Sequence, residues 1–162
     1  MEKEFLQIIQ KNQGIIHKVS NIYCDLEEDR NDLFQEIVAQ LWKSFPSFRK
    51  ESKFSTWMYR VALNTAITSF KKTKRRPDKS SLTNDNFQLK DENYDMELEE
   101  DIKHLHRAVA KLTGIEKSIV LLFLENKKYE EIAEITGITQ NYVRVKMNRI
   151  KKKLKKLMVT DD

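Results

Sequence analysis

An apolar residue exposed between an amide and a guanidinium suits a surface that touches base edges, because a thymine methyl accepts Val and a guanine edge accepts Arg. Val145, Asn148 and Arg149 form such a set within QNYVRVKMNRIKKKLKKL, residues 140–157. At about 100° per residue they share one helix face with Tyr142 and Lys152. The opposite face carries Val143, Met147, Ile150, Leu154 and Leu157, at the i, i+4, i+7 rhythm of a buried stripe. Arg144 and Lys146 flank the outward face, where cations hold phosphates. Lys152 and Lys153 extend the same charge along the helix, and Asn141 opens it. Upstream, Ile132, Ala133 and Ile135 give a shorter helix its apolar side, Gly137 permits a tight turn, and Thr139 is placed to cap the basic helix. Helix, glycine turn and basic helix in that order is the sequence form of a helix-turn-helix DNA reader. A solvated amphipathic helix kept soluble by its lysines would share the charge run. It would not need the EEIAEITGIT turn before it.

No arrangement in the chain suits catalysis. His104 and His106 stand at i and i+2 of an expected helix, so they diverge by about 200° and cannot share a metal. His17 is remote from both, and no Ser/His/Asp set, phosphate-binding glycine loop or metal-spaced acid cluster occurs. Cys24 is the only cysteine, which excludes a disulfide framework and fits a reducing compartment. The expectation is a protein without catalytic residues, metal or cofactor. No signal peptide or membrane-length apolar run is present, so the chain reads as cytoplasmic and not inserted in a membrane.

The elements that must position the base-reading face are helices. With only 3 Gly and 2 Pro in 162 residues there is little to build hairpins from, while 40% hydrophobic content is enough for packed cores. The fold class is therefore all-α, as two small helical domains joined by a flexible acidic linker. Residues 1–75 form the first, with Phe5, Ile8, Ile9, Ile16, Val19 and Tyr23 in one amphipathic stretch. Leu33, Ile37, Leu41 and Trp42 mark the next, and Trp57, Val61, Ile67 and Phe70 a third. Residues 76–101 lose periodicity and end in the acidic run from Asp91 to Asp101, whose last part could also open a helix. Residues 102–160 form the second domain. A net charge of +5 suits a polyanionic partner.

Three motifs in order carry a resemblance. DLFQE at 32–36, FSTWMYRVALNTAI at 54–67 and YEEIAEITGITQNYVRVKMNRIKKKL at 129–154 resemble the signatures of bacterial RNA polymerase sigma factors of the short, extracytoplasmic-function (ECF) type within the sigma-70 family. The chain departs from that pattern at Thr68 to Lys71, where the family often has Asp followed by Arg, and at Leu112-Thr113, where it often has Leu-Pro.

The resemblance implies a sigma region 2-like domain that binds the polymerase clamp and opens the minus-10 element. It implies a region 4-like domain that reads double-stranded minus-35 DNA and touches the beta flap, and an anti-sigma factor as a further partner. For the clamp it points to Asp32, Gln35, Glu36 and Ala39, which helical phase turns away from Leu33, Ile37 and Leu41. A partner helix rich in arginine would pair with those acids and approach closely over Ala39. For single-stranded minus-10 DNA it points to Phe48, Arg49, Lys53, Trp57, Arg60, Asn64, Lys71 and Lys72, a mixture of rings and cations of the kind that stacks bases and neutralises phosphates. Among the rings, Phe54 is expected in the core and Trp57 at its boundary. For minus-35 it points to Asn141, Tyr142, Arg144, Val145, Lys146, Asn148, Arg149, Lys152 and Lys153. The rival reading is a stand-alone helix-turn-helix regulator, dimeric on paired half-sites.

Overall fold

The structure, a computed structural model, describes residues 1–48, 53–74 and 96–160. Every regular element among them is helical: α1 (Glu2–Lys11), α2 (Gln13–Tyr23), α3 (Glu27–Ser44), a 3-10 turn (Phe45–Ser47), α4 (Phe54–Lys74), α5 (Met96–Ala110), α6 (Gly114–Leu124), α7 (Tyr129–Thr136) and α8 (Gln140–Thr160).

The stretch from Phe5 to Tyr23 is two helices rather than one. The backbone leaves helical geometry at Asn12, whose side-chain amide donates to the Ile8 carbonyl at 2.9 Å and so satisfies an acceptor at the end of α1. The acidic run does open a helix. α5 begins at Met96, inside the segment expected as linker, while Asp91 to Asp95 lie outside the described residues.

In the first half, α2, α3 and α4 pack pairwise around Ile16, Val19, Leu33, Ile37, Leu41, Met58, Ala62 and Ala66. In the second, α5, α6 and α7 all meet α8. The two halves are not separate in space. α6 touches α2 and α4, and α7 touches α4. The reason lies in the composition of α6: Ile119, Val120, Leu121 and Leu122 are consecutive and all buried, so the helix has no polar face along that turn and must be covered from several sides.

The start of α6 explains how the chain dispenses with proline there. Thr113 accepts from the Glu116 backbone N–H through Oγ1 at 3.3 Å, and the Glu116 carboxylate accepts from the Thr113 N–H at 2.8 Å, a reciprocal capping box. Lys153 of α8 adds a third contact, its Nζ 3.1 Å from the same carboxylate oxygen. Burial of Glu116 alone would raise its pKa, but the bonds from Thr113 and Lys153 outweigh burial and hold it below the ordinary 4.5. A depressed carboxylate pKa stabilises the fold above the ordinary value, and that contribution is lost as pH falls through the folded-state value. Thr113→Ala should therefore cost about 1 kcal/mol at neutral pH. Glu116→Gln should flatten the loss of stability that the parent shows as pH drops from about 5 towards 3, followed by thermal melts across that range.

Candidate nucleic-acid and partner interfaces

α7 ends where its sequence requires. Gly137 has φ 78°, in the left-handed region open to glycine, and its N–H donates to the Ala133 carbonyl. Thr139 then caps α8, accepting from the Tyr142 N–H at 3.1 Å. Val143, Met147 and Ile150 are buried, with Leu154 packed at the edge of the core. The outward face carries Asn141, Tyr142, Val145, Asn148, Arg149 and Lys152, all exposed, with Val145 at 37%. Arg144 is exposed on the flank and Lys146 is half-buried, its Nζ 5.7 Å from the centre of the Tyr142 ring. Arg144, Arg149 and Lys152 form no ion pair with a described residue, so their charge is available to a ligand. Lys153 differs from the rest of the expected phosphate set, because its ammonium is already bound to Glu116.

On α3, Leu33, Ile37 and Leu41 are buried while Asp32, Gln35, Glu36 and Ala39 are exposed, as the helical phase requires. Glu27, Glu28 and Asp29 continue the acidic surface over the first turn, where the helix dipole favours them.

The third group is arranged differently from expectation. Trp57 lies in the core at 8% exposure, and Phe54, expected there, is half-buried. The cause is a cluster of rings: Trp57 stands 4.9 Å from Phe48, 5.2 Å from Phe54 and 6.3 Å from Phe45 between centroids. A tryptophan that can reach three phenylalanines gains more by burial than by staying at the surface. Asn64, Lys71 and Lys72 are exposed along α4 and Lys53 just before it, whereas Arg49 lies outside the described residues. Arg60 is committed to the other half of the molecule, its Nη2 donating to the Glu134 carbonyl of α7 at 2.9 Å. Nearby, burial pushes the Tyr59 phenol up to about 12, with the Glu125 carboxylate adding to the effect.

One feature of this surface had no signal in the sequence. Phe45, Pro46, Phe48 and Phe54 form one wall of an open groove of about 700 Å³, and α1 supplies the other through Glu4, Ile8, Lys11 and Asn12. Only the fold brings the first helix beside the turn after the third. Among the described residues no group of His, Cys, Asp and Glu is placed to hold a metal, and no helix is long and apolar enough to cross a membrane.

Comparison with known proteins agrees with the division into halves. The Sigma-70 region 2 model matches residues 8–76, and the Sigma-70 region 4 model matches 103–154. The ECF RNA polymerase sigma-E factor of Haemophilus influenzae is 30% identical over 97% of this chain and 90% of its own length. The chain is an ECF sigma factor of the sigma-70 family. The sigma factor SigV of Bacillus subtilis is 26% identical over 90% of this chain and 86% of its own. The fold matches that of the sigma factor RpoE from Bartonella quintana, solved with the anti-sigma factor NepR, at a TM-score of 0.72, with 16% identity over 99% of this chain and 98% of that one. As an ECF sigma factor the protein is a non-enzymatic initiation factor that directs transcription, and not a stand-alone regulator.

The buried position of Trp57 changes what its substitution reports. Trp57→Ala should cost about 3–5 kcal/mol of stability by opening a core cavity, whereas Asn64→Ala on the exposed face should stay within about 0.5 kcal/mol. Chemical denaturation of the two variants checks this. Of the pair, Asn64→Ala is the one suited to testing strand opening.

Proposed function

We propose that this sigma factor docks on the polymerase clamp through Asp32, Gln35, Glu36 and Ala39 and reads minus-35 duplex DNA with the exposed face of α8. It captures the displaced minus-10 strand along α4 and the turn before it. The observation that carries the reading is the α8 face: Val145, Asn148 and Arg149 are exposed together on a rigid helix that Gly137 and Thr139 orient, with Arg149 unpaired among described residues. A helix presented this way reads a major groove through one bidentate arginine and nearby apolar contact. The acids of α3 select a basic partner helix, and the small Ala39 lets it approach.

In the minus-10 group, Asn64, Lys53, Lys71 and Lys72 are open to solvent, and Phe48 and Phe54 are the partly exposed rings. They suit stacking of a displaced base better than Trp57 does. Arg60 joins this surface once its bond to the Glu134 carbonyl is released, so strand capture accompanies separation of α4 from α7. The work takes place in the cytoplasm, on core polymerase with its clamp and flap, and the protein is held in reserve by an anti-sigma factor. Support for that last partner comes from the kind of complex in which structural neighbours occur: RpoE with NepR, and CnrH with the cytosolic domain of CnrY.

Binding of reconstituted holoenzyme to a promoter library randomised across minus-35 tests the reading. Arg149→Ala should cost about 1–3 kcal/mol and relax preference at one base position. Lys152→Ala should weaken all sequences alike and lower the salt slope by about one unit. Lys153→Ala, whose partner is Glu116, should instead lower the stability of the free protein. Uniform weakening by Arg149→Ala together with altered preference in Lys152→Ala would mean that a different face of α8 reads the bases.

A further inference from the structure

Periodicity along α3 groups Trp42 with Leu33, Ile37 and Leu41, yet its ring is 44% exposed while those three are buried. The cause is rotation about the helix: Leu41 ends the inward stripe, and the next residue turns about 100° away from it. Trp42 falls instead on the outer face. It lies seven residues after Gln35, hence within about 20° of it in helical phase, and three after Ala39. Asp32, Gln35, Glu36, Ala39, Trp42 and Lys43 are all exposed. From Asp32 they recur at three and four, seven, then ten and eleven residues, the spacing of a heptad seam about 16 Å long.

An isolated apolar side chain at a surface is ordinary. Trp42 differs in being held. Its ring meets Phe5 of α1 edge-on at 4.9 Å, and Phe5, itself only 4% exposed, meets Phe45 at 5.4 Å. α1 thus braces one side of the indole and leaves the rest open. A large aromatic surface held in one orientation loses little conformational entropy when covered, and tryptophan is accordingly common among interface anchors. The charges along the seam are also ordered. Asp32 and Glu36 stand at its amino-terminal end, and Lys43 at its carboxyl end, where the helix dipole favours a cation. Lys43 forms no ion pair with a described residue. α3 as a whole carries five carboxylates against Arg30 and Lys43, so a second copy of this helix or a nucleic acid would be repelled along most of its length.

We infer that Trp42 is the apolar anchor of the polymerase contact and that the whole seam takes one clamp helix. That helix brings cations to Asp32 and Glu36, crosses closely over Ala39, sets an aliphatic side chain against Trp42 and places a carboxylate beside Lys43. The inference rests on the reading of α3 as the polymerase-binding face and extends that face by one helical turn. Opposite charges at the two ends fix the direction of the partner helix, which the acids alone leave open.

Hydroxyl-radical footprinting read by mass spectrometry, on the full-length protein alone and in reconstituted holoenzyme, tests this. Oxidation of Trp42 should fall severalfold on adding core, while the buried Trp57 stays low in both states. In competition for core, Trp42→Ala should lose about tenfold or more in affinity. Lys43→Glu, a surface change that should move the melting temperature little, should lose about fivefold. Unchanged oxidation of Trp42 in the holoenzyme, or full affinity in both variants, overturns the inference. The double variant Asp32→Ala with Gln35→Ala separates it from the reading beneath it. If that variant is weakened while the other two bind as the parent does, α3 keeps its role and the contact ends at Ala39. If all three bind as the parent does, the reading of α3 itself fails. Should Trp42→Ala melt lower through loss of the Phe5 contact, protection of Trp42 together with weakening by Lys43→Glu upholds the anchor, and lack of either rejects it. Protection that grows with the concentration of free protein, or that needs promoter DNA, gives the ring to a second copy or to nucleic acid and likewise rejects it.

Discussion

Burial of α6 on all sides is the constraint that sets the arrangement of the molecule. Seven consecutive residues from Glu116 to Leu122 are buried, and three of them are polar. The apolar ones leave water on burial at roughly 25 cal/mol per Å², while each polar one needs a specific partner. Glu116 has its capping box and Lys153. Lys117 donates to the Ile22 carbonyl at 3.1 Å and lies 4.5 Å from the centre of the Phe70 ring. Ser118 donates back to the Ile115 carbonyl at 2.6 Å. α6 satisfies these groups with α8 on one side and α2 and α4 on the other, so one helix positions both α8 and the amino-terminal half.

The contact between halves has one buried hydrogen bond near its centre. The Tyr23 hydroxyl donates to the Gly114 carbonyl at 2.6 Å, and burial pushes that phenol's pKa up despite the opposing bond with Ser118. Around this buried point lie weaker, more exposed ties: Lys18 to Glu125 at 2.8 Å, Asp25 to His106 at 3.7 Å, and Arg60 to the Glu134 carbonyl. The bond from His106 is the main reason the Asp25 carboxyl lies below its ordinary range. Pairs so open to water contribute little free energy each. The buried hydrogen bond and the packing of α6 therefore hold the halves together more than these surface pairs do.

Local rules account for most of the proposed reading surface. The left-handed glycine at 137, the cap at Thr139 and the inward stripe of α8 all come from residue type and spacing, because each depends on neighbours within about a turn. The outward position of Asp32, Gln35, Glu36 and Ala39 comes from helical phase in the same way. Where the structure departs from expectation, a distant partner intervenes. Trp57 is drawn inward by phenylalanines from the turn after α3, Lys153 is taken by a carboxylate from α6, and Arg60 reaches a carbonyl on α7. The break at Asn12 was hidden because apolar spacing runs through it, although the backbone leaves helical geometry there and the Asn12 amide bonds the Ile8 carbonyl.

The sequence by itself determined the all-helical class, the order of the two halves, the helix-turn-helix and the family, since periodicity, turn chemistry and short motifs are written in consecutive residues. Tertiary structure alone decided which cations stay at the surface without an ion pair among the described residues and which, like Lys153 and Arg60, are tied inside the fold. It also decided that α1 walls the aromatic groove. These are properties of pairs far apart in the chain, and a helical wheel knows the direction of a side chain without knowing what stands there to meet it.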